Sequence, residues 1–168
     1  IKWCVFMKFT FSWLKDHLNT SANVNEIVDC LNKIGLEVSN LKTYKTDVKN
    51  LKVAKIIDVK KHPNADKLNV CIIQFDEEQT QVVCGAPNVK LNKKYVFAPS
   101  GTYIGGIDLT LKKAVIRDVE SNGMLCSEKE LEISDDHNGI IELPGSINLN
   151  ENVSNYLGID DPIIEIEI

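Results

Sequence analysis

The spacing of apolar positions predicts one clear helix near the start of the chain. Five aliphatic residues recur at intervals of three and four: Val24, Ile27, Val28, Leu31 and Ile34. Such spacing places them on one face of a helix, which we expect to face a core. Asn23 followed by Glu26 is typical of a capping box, and Gly35 suits the position just past the end. We therefore predict a helix over 23–34.

The pattern changes from Leu51 onward, where short apolar runs alternate with turn residues. Seven of the nine glycines and four of the five prolines lie between residues 51 and 150. Such a sequence is typical of a β-barrel or β-sandwich. We predict strands near 51–61, 68–75, 79–84, 94–98, 108–117 and 139–143, and short helices at 127–131 and 151–157.

The flanks of this β region predict a second, smaller unit. Phe9, Phe11 and Trp13 alternate with polar residues, which indicates a short strand, although Ser12 could instead cap a short helix. Residues 36–44 also suggest a strand. Alternation over 164–168 predicts a final half-buried strand, and its natural partner is the N-terminal element. The expected organisation is a discontinuous α+β unit, 7–44 with 158–168, around an insertion at 45–157, with residues 1–6 unassigned.

Charge is distributed unevenly, although the formal net charge is only −5. Residues 1–117 hold 18 Lys and Arg against 11 Asp and Glu, whereas residues 118–168 hold one Lys against 13 acidic residues. A basic face that is separate from an acidic one suits binding to nucleic acid. Solvation of ordinary Lys-rich strands explains the composition at least as well.

Cysteine usage and hydropathy exclude several classes of protein. The five cysteines (Cys4, Cys30, Cys71, Cys84 and Cys126) form no C-x-x-C pair, which argues against a zinc site or a disulfide framework and favours a reducing compartment. No apolar run approaches the ~20 residues that span a bilayer, so we expect no membrane partner. Cys84 with His62 resembles a thiol–base pair, but a buried inert thiol is the better interpretation.

Three motifs follow one another in the β region. They are residues 62–68 (HPNADKL), 81–89 (QVVCGAPNV) and 123–131 (GMLCSEKEL). In this order and spacing they resemble the tRNA-binding domain that is appended to several aminoacyl-tRNA synthetases. The resemblance implies a five-stranded OB-fold barrel. The predicted fold class is therefore mainly β with an α+β flank, a five-stranded OB-fold barrel inserted into a partial α+β domain.

The flanking segments extend the resemblance. Met7–Leu14, Ile34–Val38 and Ile163–Ile168 are similar to the N-terminal region of bacterial phenylalanyl-tRNA synthetase beta subunits. This implies a cytoplasmic tRNA-binding piece of a ligase that attaches phenylalanine to tRNA, with an alpha subunit as partner in an α2β2 complex. It implies ATP and Mg for the parent complex, and we expect no cofactor, metal or catalytic residue in this piece.

Candidate tRNA contacts are basic residues of the first barrel strand, two lysines that follow the second motif, and residues of the first and third motifs. Lysines can neutralise phosphates on the nucleic-acid face of such a barrel. The acidic run that begins at Glu128 would repel phosphate, so the binding face should lie away from it. The candidates are Lys52, Lys55, Lys60, Lys61, His62, Lys67, Lys90 and Lys94, with Ser127 and Lys129 carried over from the resemblance. The alternative function is a free-standing OB-fold module for oligomerisation or chaperoning.

Overall fold

The computed structural model describes residues 5–168, so residues 1–4, which include Cys4 and most of the unassigned stretch 1–6, lie outside the described part. The chain divides into two compact units. One holds the described residues up to Tyr44 together with Gly158–Ile168, and the other is Lys45–Leu157. The division into a partial α+β domain, 7–44 with 158–168, and an inserted tRNA-binding domain, 45–157, stays a prediction.

Strands dominate the described chain. In chain order the elements are β1 (Phe6–Thr10), α1 (Phe11–His17), α2 (Val24–Lys33), β2 (Glu37–Lys42), β3 (Lys52–His62), β4 (Ala65–Phe75), β5 (Glu78–Cys84), β6 (Lys94–Ala98), β7 (Tyr103–Ile104), β8 (Leu109–Thr110), β9 (Ala114–Ile116), β10 (Val119–Ser121), β11 (Met124–Leu125), β12 (Glu142–Leu143), α3 (Val153–Leu157) and β13 (Ile163–Glu167), with single 3₁₀ turns at Val48–Asn50 and Gly105–Ile107. No helix over residues 5–168 is long and apolar enough to cross a membrane.

The smaller unit is a three-stranded antiparallel sheet in the order β1–β13–β2. Its central strand is the last one of the chain, and Ile164 and Ile166 are fully buried against the helices. The predicted pairing of this strand with the N-terminal element is confirmed by its register, in which Phe9 lies opposite Ile164. The predicted helix is confirmed as α2, with the Asn23–Glu26 capping box formed. Thr10, rather than Ser12, caps α1.

The larger unit is built on one antiparallel sheet in the order β11–β6–β3–β4–β5, with β12 also paired to β6. Five main strands in one curved sheet are what the partly open OB-fold barrel has. Among the described residues the ladder does not continue from β5 to β11. Hydrogen bonds join β5 to the end of β10 instead: the Val83 amide donates to Ser121 Oγ at 3.0 Å, and the amide of the next residue, Asn122, donates to Gln81 O at 2.9 Å.

The core of this unit lies on the inner faces of β3, β4, β5 and β6. Strict alternation along β3 predicts an inward set of Leu51, Val53, Ile57 and Val59, with Ala54 facing outward, and this prediction is wrong in part. Leu51 and Val53 are buried, but Ala54 and Ile56 are fully buried as well, whereas Ile57 and Val59 are half-buried. Ala54 and Ile56 face the core before the break in register between Ile56 and Asp58, and Val59 packs against the same core after it, since a bulge moves the following residues to the opposite face.

Two further predicted elements are wrong. Residues 108–117 do not form one strand, because β8 and β9 are separate and belong to different two-stranded sheets. Residues 127–131 form hydrogen-bonded turns rather than a helix, with Leu131 N bonded to Ser127 O and Ile133 N to Glu128 O. Glu132 then adopts a φ of 61°, which ends any helical path.

Candidate nucleic-acid interface

His62, at the start of the first motif, is a buried residue of the turn between β3 and β4. Its side chain is only 4% exposed. Nδ1 accepts a hydrogen bond from the Asn64 amide at 3.1 Å, and Nε2 lies 2.9 Å from the carbonyl oxygen of Ile116. Because a carbonyl can only accept, Nε2 carries the proton in this arrangement. The ring therefore joins the β3–β4 turn to β9, and the expected direct contact of His62 with tRNA finds no support in its burial.

Asn64 makes the second connection from this turn to the hairpin formed by β9 and β10. Its side-chain Nδ2 donates to Arg117 O at 3.0 Å and to Asp118 Oδ2 at 3.2 Å. Arg117 returns a bond from Nη1 to Asn64 O at 3.2 Å. Arg117 and Asp118 both have positive φ, 48° and 71°, as the two central residues of a type I′ hairpin turn require. The turn and the hairpin tip are thus held together from both sides.

The second motif is organised by Asn88. Its side-chain amide donates to Ile140 O at 2.7 Å and accepts from Ile140 N at 3.0 Å, as a neighbouring strand would. The backbone carbonyl oxygen of Asn88 accepts a hydrogen bond from the hydroxyl of the buried Tyr95 at 2.6 Å. Gly85 lies against the first motif, since a Cβ there would be 3.0 Å from Leu68 Cδ2. This motif therefore ties the first motif to the segment that follows the third.

The third motif begins at a glycine that no other residue can replace without movement. Gly123 has a φ of 96°, and a Cβ there would lie 2.5 Å from Ala98 O and 2.6 Å from the Phe97 ring. Ser127 is 4% exposed; its amide donates to the Glu130 carboxylate and its hydroxyl accepts from the Glu130 amide at 3.5 Å. This is the capping-box pattern closed on a single turn. As with His62, the burial of Ser127 gives no support to a direct contact with tRNA.

The second and third motifs together line much of a cavity of about 300 Å³. Its lining includes Cys84, Ser127 and Glu130 from the motifs, and His137 from the segment that follows them. Burial raises the pKa of the Cys84 thiol, so the reactive thiolate is disfavoured at neutral pH. The thiol–base alternative is weakened further because both ring nitrogens of His62 are already engaged. Within the described residues, no group of three or more His, Cys, Asp or Glu side chains is arranged to hold a metal ion.

The lysines predicted to bind tRNA have different surroundings. Lys52 and Lys60 form ion pairs with Asp76 and Asp58, each at 2.9 Å. Lys94 is half-buried, and its ammonium donates to the carbonyl oxygens of Gly145 and Ile147. The other five lysines form no ion pair with any described carboxylate. Lys55 is half-buried, and the remaining four are exposed: Lys61, Lys67, Lys90 and Lys129.

These lysines do not form one groove. Lys55 and Lys94 are directly opposite each other on β3 and β6, and Ile56 bonds to the loop that contains Lys90. Lys61 follows Lys55 by six positions, which is about 20 Å along a strand. At the far end of β3, the exposed Lys60, Lys61 and Lys67 flank the turn to which Arg117 is bonded. We call these four residues the corner surface.

Lys129 lies apart from both groups in acidic surroundings. The neighbouring cavity of about 260 Å³ is lined by residues that include Glu128, Asp136 and Glu142, and the last of these pairs with Lys93 at 2.6 Å. Phosphates near Lys129 would also meet these negative charges. The expected acidic region is therefore present, and it adjoins the third motif.

From the sequence, Arg117 is only one of several further basic candidates for the tRNA-binding face, and nothing places it beside the first motif. Its partner, Asn64, is 53 residues earlier in the chain. The positive-φ pair at the hairpin tip has no glycine, so the sequence gives little sign of a turn there.

Known proteins resemble this chain over most of its length. The family model described as a putative tRNA binding domain matches residues 51–152. The phenylalanine–tRNA ligase beta subunit of Mesorhizobium japonicum is 48% identical over 164 residues, which cover 96% of this chain and 20% of that protein. The beta subunit of Cereibacter sphaeroides is 46% identical over 169 residues, covering 96% and 21%. The chain thus spans about a fifth of the length of these relatives.

A solved structure, the MetRS-related protein from Pyrococcus horikoshii, is similar with a TM-score of 0.43 and 22% identity, covering 59% of this chain and 84% of that one. The match to the tRNA-binding family covers more than half of the residues of this chain. The chain therefore belongs to the family of putative tRNA binding domains.

Proposed function

We propose that this chain is the N-terminal part of a phenylalanine–tRNA ligase beta subunit and that its barrel helps to hold tRNA(Phe) while phenylalanine is attached. The observation that carries the proposal is the match of residues 51–152 to the tRNA-binding family, within a chain that resembles beta subunits over 96% of its length. The proposal includes an alpha subunit as partner in an α2β2 complex, a cytoplasmic location, and ATP and Mg as requirements of the parent complex.

The corner surface is the best candidate for the contact with tRNA. Lys61, Lys67 and Arg117 are exposed and form no ion pair with a described carboxylate, and Lys60 can exchange Asp58 for a phosphate. Lys52 and Lys94 are less suitable, because an ion pair and two carbonyl oxygens already hold their ammonium groups. Lys55 and Lys90 remain a second, separate group of candidates. We assign His62 and Ser127 to supporting roles, because both are buried.

Binding of this kind is expected to be weak, tolerant of sequence and sensitive to salt. Each phosphate that is neutralised releases counterions and contributes roughly −0.7 to −0.9 to the slope of log K against log salt concentration. About four contacts from the corner surface give a slope near −3. Contacts of this sort alone correspond to dissociation constants of roughly 1–100 µM at physiological salt.

A salt titration of tRNA binding tests the proposal. The variant with Lys60→Ala, Lys61→Ala and Lys67→Ala should bind every tRNA more weakly and flatten the slope by about one unit for each lost contact. The matched control carries Lys33→Ala, Lys45→Ala and Lys49→Ala, three exposed lysines outside the corner surface, and loses the same charge. It should retain the slope of the unmodified chain.

Two results would contradict the proposal. An equal loss of slope in both triple variants would show that only overall charge matters and would move the contact away from the corner surface. Failure of the unmodified chain to bind tRNA even at low salt would remove the tRNA-binding function. A self-associated species in sedimentation at that point would favour the oligomerisation module.

A further inference from the structure

The β9–β10 hairpin is held at its tip by the first motif. Four hydrogen bonds connect the two segments. His62 Nε2 bonds to Ile116 O, the side-chain Nδ2 of Asn64 donates to Arg117 O and to Asp118 Oδ2, and Arg117 Nη1 donates to Asn64 O. The hairpin itself has only three residue pairs in its ladder. So short a hairpin is not stable in isolation, and its position depends on what it packs against.

The arrangement leaves Arg117 exposed but fixed. Its guanidinium group has five N–H donors, and one donates to Asn64 O. The remaining donors are free to bind a phosphate, for which the planar guanidinium is well suited. The backbone of Arg117 is also anchored through its carbonyl oxygen, so the arginine is presented at a fixed place beside the first motif and less conformational entropy is lost on binding.

We propose that the β9–β10 hairpin is an arm of the RNA-contacting surface, that Arg117 binds a backbone phosphate, and that Asn64 and His62 are positioning residues that hold the arm beside Lys60, Lys61 and Lys67. This rests on the proposed function and adds a residue and a structural role to it. The motif thereby acts through the hairpin, because its own His62 is buried.

The charges around the hairpin agree with a phosphate as the ligand. Two basic residues of the segment, Lys112 and Lys113, precede β9, and the second pairs with Glu120 at 3.0 Å. Asp118 is the acidic residue at the tip, and Asn64 binds one of its carboxylate oxygens. Asp66 is exposed on the turn. Counting the ion pairs as neutral, the cations of the corner surface outnumber the acidic groups that remain.

Three variants test the positioning role through the salt dependence of tRNA binding. Arg117→Ala should weaken binding roughly three- to tenfold and reduce the slope by about 0.7–0.9, as expected for one lost contact. Asn64→Ala removes no charge, yet it should also weaken binding and reduce the slope, because Arg117 is then no longer held in place. Arg117→Lys should keep most of the slope, since a charge remains at the site.

The double variant separates positioning from a general loss of structure. If Asn64 acts through Arg117, adding Asn64→Ala to Arg117→Ala should have little further effect on tRNA binding. The coupling free energy between the two changes should then nearly equal the effect of Asn64→Ala alone. Asn155→Ala, an exposed asparagine on α3, is the matched control and should bind as the unmodified chain does. Fully additive effects, or an unchanged slope in both single variants, would overturn the inference.

The same titration distinguishes failure of the hairpin's proposed role from failure of the proposed tRNA-binding function. If the unmodified chain binds tRNA with a steep salt dependence while Arg117→Ala and Asn64→Ala behave like it, the hairpin has no role and the proposed function stands. If the unmodified chain does not bind tRNA, the proposed function fails and the hairpin has no RNA to contact.

Discussion

The Asn88 side chain forms hydrogen bonds with the backbone of Ile140 in the way that a neighbouring strand does, and removing this side chain should destabilise the larger unit strongly. It forms two hydrogen bonds with the backbone of Ile140, at 2.7 and 3.0 Å, and Ile140 is only 7% exposed. Asn88→Ala loses both bonds and leaves a buried N–H and C=O of Ile140 without their partner.

The magnitude follows from the cost of unpaired groups. Each lost hydrogen bond is worth about 1 kcal/mol, and a stranded buried polar group costs about 1–3 kcal/mol. With partial access of water, we expect a loss of about 2–4 kcal/mol in the free energy of unfolding. For a unit of roughly 110 residues this corresponds to a decrease in Tm of about 8–16 °C.

Urea unfolding followed by far-UV circular dichroism is the appropriate assay. Both tryptophans of the chain, Trp3 and Trp13, precede residue 45, so tryptophan fluorescence does not report on the barrel directly. Asn155→Ala on the exposed face of α3 is the control and should change stability by less than about 0.5 kcal/mol. An equally small effect of Asn88→Ala, at an unchanged m-value, would contradict the stabilising role of its two hydrogen bonds with Ile140.

Three other predictions concern the glycine of the third motif, the thiols and the ion pair on β3. Gly123→Ala should destabilise the barrel by at least about 2 kcal/mol in the same assay, because its Cβ would overlap Ala98 O and its φ of 96° disfavours any side chain; a neutral effect would contradict the close packing. Iodoacetamide followed by mass spectrometry should modify the exposed Cys30 quickly and Cys71 only on unfolding, because burial raises the pKa of the Cys71 thiol to about 12; equal rates would contradict its burial. The hydrogen bond with Lys60 lowers the pKa of Asp58 below its ordinary 3.8, so the pair stabilises the fold above that pH and less as the pH falls through the lowered value. Lys60→Ala should raise the Asp58 pKa in an NMR titration, and an unchanged pKa would show that the pair is not formed.

Local patterns in the sequence were sufficient where neighbouring residues determine the structure. The helix α2 could be predicted because its apolar spacing, its Asn23–Glu26 cap and Gly35 all lie within thirteen residues. The final strand could be predicted because isoleucine and glutamate alternate along it, and because an unpaired strand at this place would leave an exposed edge.

Long-range contacts explain what the sequence did not reveal. The bulge after Ile56 depends on pairing with β4, so strict alternation could not place Ala54 and Ile56 on the same core face as Val59. The Ser127–Glu130 pair resembles a helix cap, but the chain turns away at Glu132. The first motif could be identified as a turn, whereas its attachment to Arg117 depends on a residue 53 positions away.

The candidate site could be predicted as a region but not as a set of side chains. The basic first strand and the three motifs were found from sequence, and the structure brings the motifs together through Gly85, Asn88 and their neighbours. It also shows that Lys94 holds a loop and that His62 is buried, which charge and motif membership alone do not reveal.

The most direct test of the central claim is an NMR titration of the isotopically labelled chain with tRNA at low salt. We predict that the amide signals of residues 60–67 and 115–118 shift or broaden together, and that those of the acidic segment 128–136 do not. Perturbations confined to the acidic segment, or bound tRNA that leaves residues 60–67 and 115–118 unchanged, would contradict the assignment of the corner surface as the tRNA contact.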